Sequence, residues 1–138
     1  MLLPSWIADR WRPPTLGEQG ERAASRHLRR RGYKIVARRH RSRYGEFDLI
    51  AVDGREIVFV EVKTRRTDGE IRPIDSVGPE RRRRMSRAAV AYLKSQGLLE
   101  YPARFDVIEV VWPAGVRQPT IRHHASAFPA EGRGQFFR

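Results

Sequence analysis

The chain is expected to fold as an α/β layer on a mixed β-sheet, because its signals run helix, three strands, helix, strand. Three observations carry that expectation. Thr15-Leu16-Gly17-Glu18 is a helix-capping sequence followed by a rough helical stripe. Two apolar stretches, 47–52 and 56–63, flank Asp53-Gly54, a hairpin signal. From Pro79 to Ser95, Met85, Ala88, Ala89, Tyr92 and Leu93 recur on one helical face, with proline in the first turn.

In order along the chain, residues 1–14 read as an irregular arm with Pro4, Pro13 and Pro14. Its Trp6 and Trp11 either stack on bases or pack against the domain. The first helix begins after Thr15, with Glu18 expected to reach back to the cap. Leu16, Ala23, Ala24 and Leu28 carry it to about Arg31. Gly32 suits the position just past the end, and Arg29, Arg30 and Arg31 suit the negative end of the helix dipole. Tyr33, Ile35 and Ala37 alternate in a strand over 33–38, and the basic segment 39–45 reads as a loop. The hairpin strands follow. Residues 64–78, with Gly69, Pro73 and Gly78, read as a long loop before the second helix. A strand over 105–112 and a short one at 120–122 come next. The domain is therefore expected over 15–124, with a flexible tail from 125 to 138. No internal repeat is present.

At 138 residues the chain fits one domain with a real core, and 40% hydrophobic content fits a globular protein. No apolar run approaches the roughly 18 residues of a membrane span. The start, Met1 to Trp6, lacks a basic segment followed by a long apolar one. With no cysteine there are no disulfides or thiolate zinc sites. The expectation is a cytoplasmic protein without a membrane partner. The 28 Lys+Arg against 16 Asp+Glu give a net charge of +12, which favours a polyanion, nucleic acid above all. Only Lys34, Lys63 and Lys94 are lysines, a bias that explains arginine over lysine but not the excess of charge. The phosphate-loop, nucleophile-elbow and zincin motifs are absent, which argues against a nucleotide cofactor and against those hydrolases.

The informative residues are Asp48, Glu61 and Lys63, charges in apolar strands where they are costly unless paired or bound to something. With Asp53-Gly54 as a two-residue turn, Asp48 falls opposite Phe59 and Glu46 opposite Glu61. Glu46, Asp48, Glu61 and Lys63 then share one face, and Leu49, Ala51, Val58, Val60 and Val62 take the other. Asp48 and Glu61 become diagonal neighbours roughly 7–8 Å apart at Cβ, close enough to share one cation. Mg²⁺ or Mn²⁺ suits two carboxylates, with the Val62 carbonyl as a further oxygen and substrate phosphate completing the shell. Such an ion would polarise a scissile phosphate and acidify a bound water. Lys63 beside it could orient the water or offset developing charge. The plainer reading is an edge hairpin with a solvated charged face, where Lys63 pairs with Glu61 or Glu46. A three-residue turn would shift the register and dissolve the shared face.

The flanking residues add to this. Gly45-Glu46-Phe47-Asp48-Leu49-Ile50 and Phe59-Val60-Glu61-Val62-Lys63-Thr64-Arg65 resemble the YraN family of bacterial proteins. That family is regarded as predicted endonucleases of the PD-(D/E)xK, restriction-endonuclease-like class, similar to archaeal Holliday junction resolvases. The resemblance covers about residues 16–112. It includes Gly20-Glu21 with Ala24, Leu28 and Gly32-Tyr33, then Pro79 with Arg84, Arg87, Ala88 and Ala89, then Arg104-Phe105-Asp106-Val107. It implies a three-layer core with a mixed sheet flanked by helices. It also implies Asp48 and Glu61 as metal ligands, Lys63 as the catalytic lysine and Glu21 as an additional acid. Glu18 or neither glutamate is the alternative for that last role. Glu46 becomes a supporting residue or a salt-bridge partner of a nearby arginine. The implied cofactor is Mg²⁺ or Mn²⁺, and the implied partner is DNA, branched DNA included. Resolving a junction requires two sites and hence a homodimer. The chain departs from the family at Phe47, where the class name has proline. It departs again at Arg39 and Arg81, where the family often has Asn and Lys.

Arg38, Arg39, Arg41 and Arg43 precede Asp48 and are placed to contact a DNA backbone, as are Arg65 and, on the second helix, Arg81 and Arg84. The run Arg81 to Arg84 reads equally as a solvated helix face. His123 and His124 point apart on a strand, and His27 and His40 read as surface or loop residues. Gly17 and Gly20 are too sparse for a phosphate motif. Three functions stand: a metal-dependent nuclease, a non-catalytic nucleic-acid-binding scaffold of the same fold, and a basic protein-assembly module. The acid-acid-lysine set favours the first, since carboxylates without metal repel phosphate.

Overall fold

The computed structural model of the chain describes residues 4–5, 12–67 and 77–130. Trp6 and Trp11 of the expected arm, most of the expected 64–78 loop, and the last eight residues of the expected tail lie outside these. The described elements are α1 (Leu16–Arg30), β1 (Lys34–Ser42), β2 (Gly45–Asp53), β3 (Glu56–Arg65), α2 (Pro79–Ser95), β4 (Ala103–Val111) and β5 (Thr120–Phe128).

Helix α1 begins where its capping signal stands: the Thr15 hydroxyl accepts from the Glu18 amide at 3.1 Å. The Glu18 carboxylate, expected to reach back to the cap, instead meets Arg12 at 2.9 Å. At the other end Gly32 has φ +89, and the amides of Gly32 and Tyr33 donate to the carbonyls of Arg29 and Leu28. That is a Schellman closure, which a glycine makes without strain. Helix α2 occupies the expected span, with Pro79 in its first turn.

The five strands form one sheet in the order β1-β2-β3-β4-β5. All neighbours are antiparallel except β3 and β4, which are parallel. A parallel pair needs a crossover, and α2 lies within that connection. The two helices cover opposite faces. Ala23, Ala24 and Leu28 of α1 pack on Leu49, Ala51, Val58, Val60, Ile108 and Val110. Met85, Ala88, Ala89 and Leu93 of α2 pack on Ile50, Ile57, Phe59, Phe105 and Val107. This α/β/α sandwich on a mixed sheet is the expected fold class, a restriction-endonuclease-like three-layer core.

Four expectations change. The segment 39–42 is not loop but the second half of β1, with the turn confined to Arg43 and Tyr44. β1 is an edge strand, and its second half holds exposed arginines with no apolar alternation to mark it. His40 lies on that strand with its ring edge against Tyr92 at 5.1 Å, not in a loop. The short strand at 120–122 extends to Phe128, which stacks on Phe105 at 4.9 Å, so residues 125–128 belong to the sheet rather than to a tail. The hairpin turn is Gly54-Arg55, because Asp53 pairs with Glu56. Gly54 takes φ +62 at the first turn position, where glycine is favoured. The pairing thus moves by two residues from the expected one. A shift of two leaves the paired side chains, from Leu49 to Asp53 and from Glu56 to Val60, on their expected faces.

A polar network is built into the α1 side of the sheet between β4 and β5. Asp106 is fully buried. It accepts from Arg104 Nε at 3.0 Å and from the Ser126 amide at 3.0 Å, and lies 2.7 Å from His123 Nε2. The other ring nitrogen of His123 lies 3.3 Å from Nε2 of His27 on α1. Arg104 also donates to the Tyr33 hydroxyl at 2.7 Å and reaches Asp53 and Glu56 at 3.3 Å. Burial opposes ionisation of Asp106, but hydrogen bonds from His123, Arg104 and the Ser126 amide overcome it and hold the carboxyl below its usual range. His27, expected as a surface or loop residue, is therefore half-buried and with His123 cross-links helix and sheet.

Candidate active site

Strands β2 and β3 are paired from the turn as far as Leu49 and Val60. Continuing that pairing by one residue puts Asp48 opposite Glu61, rather than opposite Phe59. Here the strands part. Instead of another ladder bond, the Val62 amide donates to Asp48 Oδ2 at 2.7 Å, so the aspartate side chain bridges the mouth of the fork. The backbone changes face at the same level. Phe47 belongs to the α2-side core and Leu49 to the α1-side core, although only one residue separates them. Across on β1, Arg39 lies between the pairs Arg38–Leu49 and His40–Phe47 and takes φ +49, a conformation rare for a side-chain-bearing residue. These irregularities turn Asp48 into the fork.

Glu61 is 3% exposed. Its Oε1 is 2.6 Å from Arg81 Nη2 on α2 and 3.4 Å from Lys63 Nζ. Its Oε2 is buried without a hydrogen-bond partner. Asp48 is pushed up to about 7, first by burial, then by the charge of Glu61 and more weakly by that of Glu21; the Val62 hydrogen bond pulls the other way. Of the two glutamates on α1, Glu21 is thus the one whose charge bears on the fork, while Glu18 is taken by Arg12.

Gly20 explains how α1 brings Glu21 so near. It is buried, and a Cβ there would fall on the Thr64 side chain of β3, 2.8 Å from the Thr64 Cβ. A bare backbone is needed for helix and strand to approach this closely. Gly20→Ala is expected to lower stability by about 1–3 kcal/mol by forcing this contact apart. Urea unfolding checks it, and a loss too small to measure would show that Thr64 can give way.

The other expected residues divide. Glu46 does not face Glu61; it meets Arg41 at 3.2 Å. Arg39 is held by Glu21 at 2.9 Å, and both line a cavity of about 280 Å³ with Glu18, Arg22, Ser25, Arg38 and Leu49. Arg43 lies over the Tyr44 ring, 4.9 Å from its centroid. Arg81 and Arg84 line a second cavity of about 240 Å³ with Tyr44, Gly45, Glu46 and Met85. Arg65, half-buried, ends β3, where its carbonyl accepts from the Trp112 amide. Two features escaped the sequence reading. The pairing of Arg81 with Glu61 crosses from helix to sheet and leaves no local signal. The Arg104–Asp106 network did leave one, two charges two apart in an apolar strand.

Among the described residues, no three acidic or histidine side chains converge as a ready-made metal site. Two carboxylates do lie near enough for the charge of Glu61 to act on Asp48, and a hard divalent ion often takes only one or two from the protein. The donor set therefore fits such an ion: a buried unpaired oxygen on Glu61 and an Asp48 that feels the Glu61 charge.

The three-layer core on a mixed sheet is that of a restriction-endonuclease-like α/β protein. Its relatives are found by sequence. The model of the "Uncharacterised protein family UPF0102" matches residues 20–110, a span that holds Glu21, Asp48, Glu61 and Lys63. The chain is 45% identical over 125 residues to a UPF0102 protein of Rhodopirellula baltica, covering 88% of this chain and 75% of that one. It is 46% identical over 120 residues to one of Geotalea uraniireducens, covering 87% and 94%. A Geobacter sulfurreducens relative is 45% identical over 113 residues, covering 82% and 88%. The chain belongs to the UPF0102 family.

Proposed function

We propose that this protein is a Mg²⁺- or Mn²⁺-dependent endonuclease that hydrolyses phosphodiester bonds in DNA, branched or otherwise structured DNA included. The observation that carries the reading is Glu61, a buried carboxylate with one oxygen unpaired, facing Asp48 and touching Lys63. Asp48, Glu61 and the Val62 carbonyl would hold the ion, with Glu21 adding negative charge from α1. When bound, a divalent cation polarises the scissile phosphate and acidifies a water. The Val62 amide fixes the Asp48 carboxylate in place. Glu61 in turn holds the Lys63 ammonium beside the reacting centre, where it orients the attacking water or offsets charge on the departing oxygen. The exposed arginines at 38, 39, 41, 43, 81 and 84, with Arg65 at the end of β3, grip backbone phosphates without reading sequence. The net charge of +12 supports a polyanionic substrate. A branched substrate calls for a homodimer with two sites, and DNA as substrate calls for a cytoplasmic location. No described helix is long and apolar enough to cross a membrane.

One observation favours a non-catalytic scaffold instead: Arg81 and Lys63 both already sit on Glu61, which needs no metal to neutralise its charge. Cleavage assays separate the two. Linear, single-stranded and four-way-junction DNA with Mg²⁺ or Mn²⁺ should be cut by the wild type. Asp48→Ala and Lys63→Ala should each cut about 10³-fold more slowly. Cutting that persists unchanged in both variants would sink the site. Binding without cutting under either metal would make the protein a scaffold.

A further inference from the structure

Arg81 stands where the proposed chemistry wants a cation. Its guanidinium reaches from the first turn of α2 and places Nη2 2.6 Å from Glu61 Oε1. Lys63 shares that oxygen at 3.4 Å. A carboxylate this buried needs a counter-charge, and Arg81 brings one from outside the core. The two partners are unequally fixed. The Glu61 side chain is 4% exposed, whereas that of Arg81 is 46% exposed and lies on a helix surface. The guanidinium can therefore leave at little cost in packing. It also has somewhere to go, because Arg81 forms part of the wall of the cavity lined by Tyr44, Glu46, Arg84 and Met85. A divalent ion on Glu61 and Asp48 would lie against this guanidinium, and like charges at such range exclude one another.

We propose that Arg81 is a displaceable latch: it occupies Glu61 in the metal-free protein and competes with the divalent cation for that carboxylate. This inference rests on the metal-site reading above. It makes metal affinity a property of α2 as well as of the β2–β3 fork. It also couples metal to substrate, because a phosphate that draws Arg81 toward Arg84 frees Glu61, and linkage makes the effect reciprocal.

The test is calorimetric titration of Mn²⁺ alone into the full chain, without DNA, with melting curves in chelator and in Mn²⁺. Arg81→Met should bind Mn²⁺ about tenfold more tightly than wild type. Without metal it should melt at a lower temperature, since Glu61 has lost its closest counter-charge, and Mn²⁺ should close that gap. Arg81→Lys keeps a cation with a shorter reach and should bind Mn²⁺ with intermediate affinity, which carries the test if the methionine variant does not fold. Equal or weaker Mn²⁺ binding by the variants than by the wild type would overturn the latch and leave the metal site standing. No binding of Mn²⁺ by wild type and variants alike would overturn the metal site and the latch together.

Discussion

Asp106→Ala is expected to destabilise the fold by about 3–5 kcal/mol, the range for removing one partner of a buried ion pair. Asp106 is fully buried and the Arg104 side chain is only 10% exposed. Burial works against the charge on Arg104, yet the hydrogen bonds to Asp106 outweigh it and hold the guanidinium more firmly charged than usual. Without Asp106 that charge stays in the core with Asp53 and Glu56, both on the wetter rim, as its remaining acid partners. The Ser126 amide loses its acceptor and His123 loses the group that orients it. Asp106→Asn should cost nearly as much, because it keeps the shape and removes the charge. The double variant Arg104→Met with Asp106→Leu should cost less than either single change, since it removes both charges together. Urea unfolding at neutral pH measures all of these. A loss below about 1 kcal/mol for Asp106→Ala would show the network to be solvated. The sign with pH follows from the lowered carboxyl. Its contribution is present above the unfolded-state pKa and is lost as pH falls through the lower folded value.

Asp48→Asn is expected to do the opposite, raising stability while ending cleavage. The carboxyl is pushed up from 3.8 to about 7 by burial first and the charge of Glu61 second. A folded-state pKa raised in this way gives stability that is present below the unfolded value and lost as pH rises through the folded one. Wild type therefore loses stability between about pH 4 and pH 7, and Asp48→Asn escapes that loss. The variant should match wild type near pH 4 and exceed it by about 1–3 kcal/mol at pH 8. Asparagine still accepts from the Val62 amide, so the fork keeps its bridge. Added Mg²⁺ should reverse the order, because a ligand stabilises only the protein that binds it. Melting temperature against pH, with and without Mg²⁺, reads both effects. A variant less stable than wild type at pH 8 would mean that Asp48 is held charged by something other than metal. These are the signs of a site that keeps two acids together at a cost to the fold.

How much of this was legible depends on how local each signal is. Thr15 and Gly32 mark α1 because capping is a matter of a few adjacent backbone groups. Pro79 and the spacing of Met85, Ala88, Ala89 and Leu93 mark α2 for the same reason. The hairpin faces survived an error in the turn because side chains alternate with period two and the error was two residues. The second half of β1 was missed because an edge strand needs no apolar face, and Arg38, Arg39 and Arg41 looked like loop. The latter part of β5 was missed because its buried partner, Phe105, is far along the chain.

By itself the sequence determined the α/β class, both helices, the central hairpin and the nearness of Asp48, Glu61 and Lys63, each written in periodicity, capping or residue type along a short stretch. Glu21 entered only through the family resemblance. Only the tertiary structure decided that Asp48 closes a fork through the Val62 amide, and that Gly20 lets α1 press Glu21 toward it. It alone also decided that Arg81 holds Glu61, and that His27, His123 and Arg104 converge on Asp106. Those pairings join residues from separate elements, and what selects them is packing across the sheet. Burial removes the water that would otherwise satisfy these charges, and it leaves each one only the partners that the fold brings within reach.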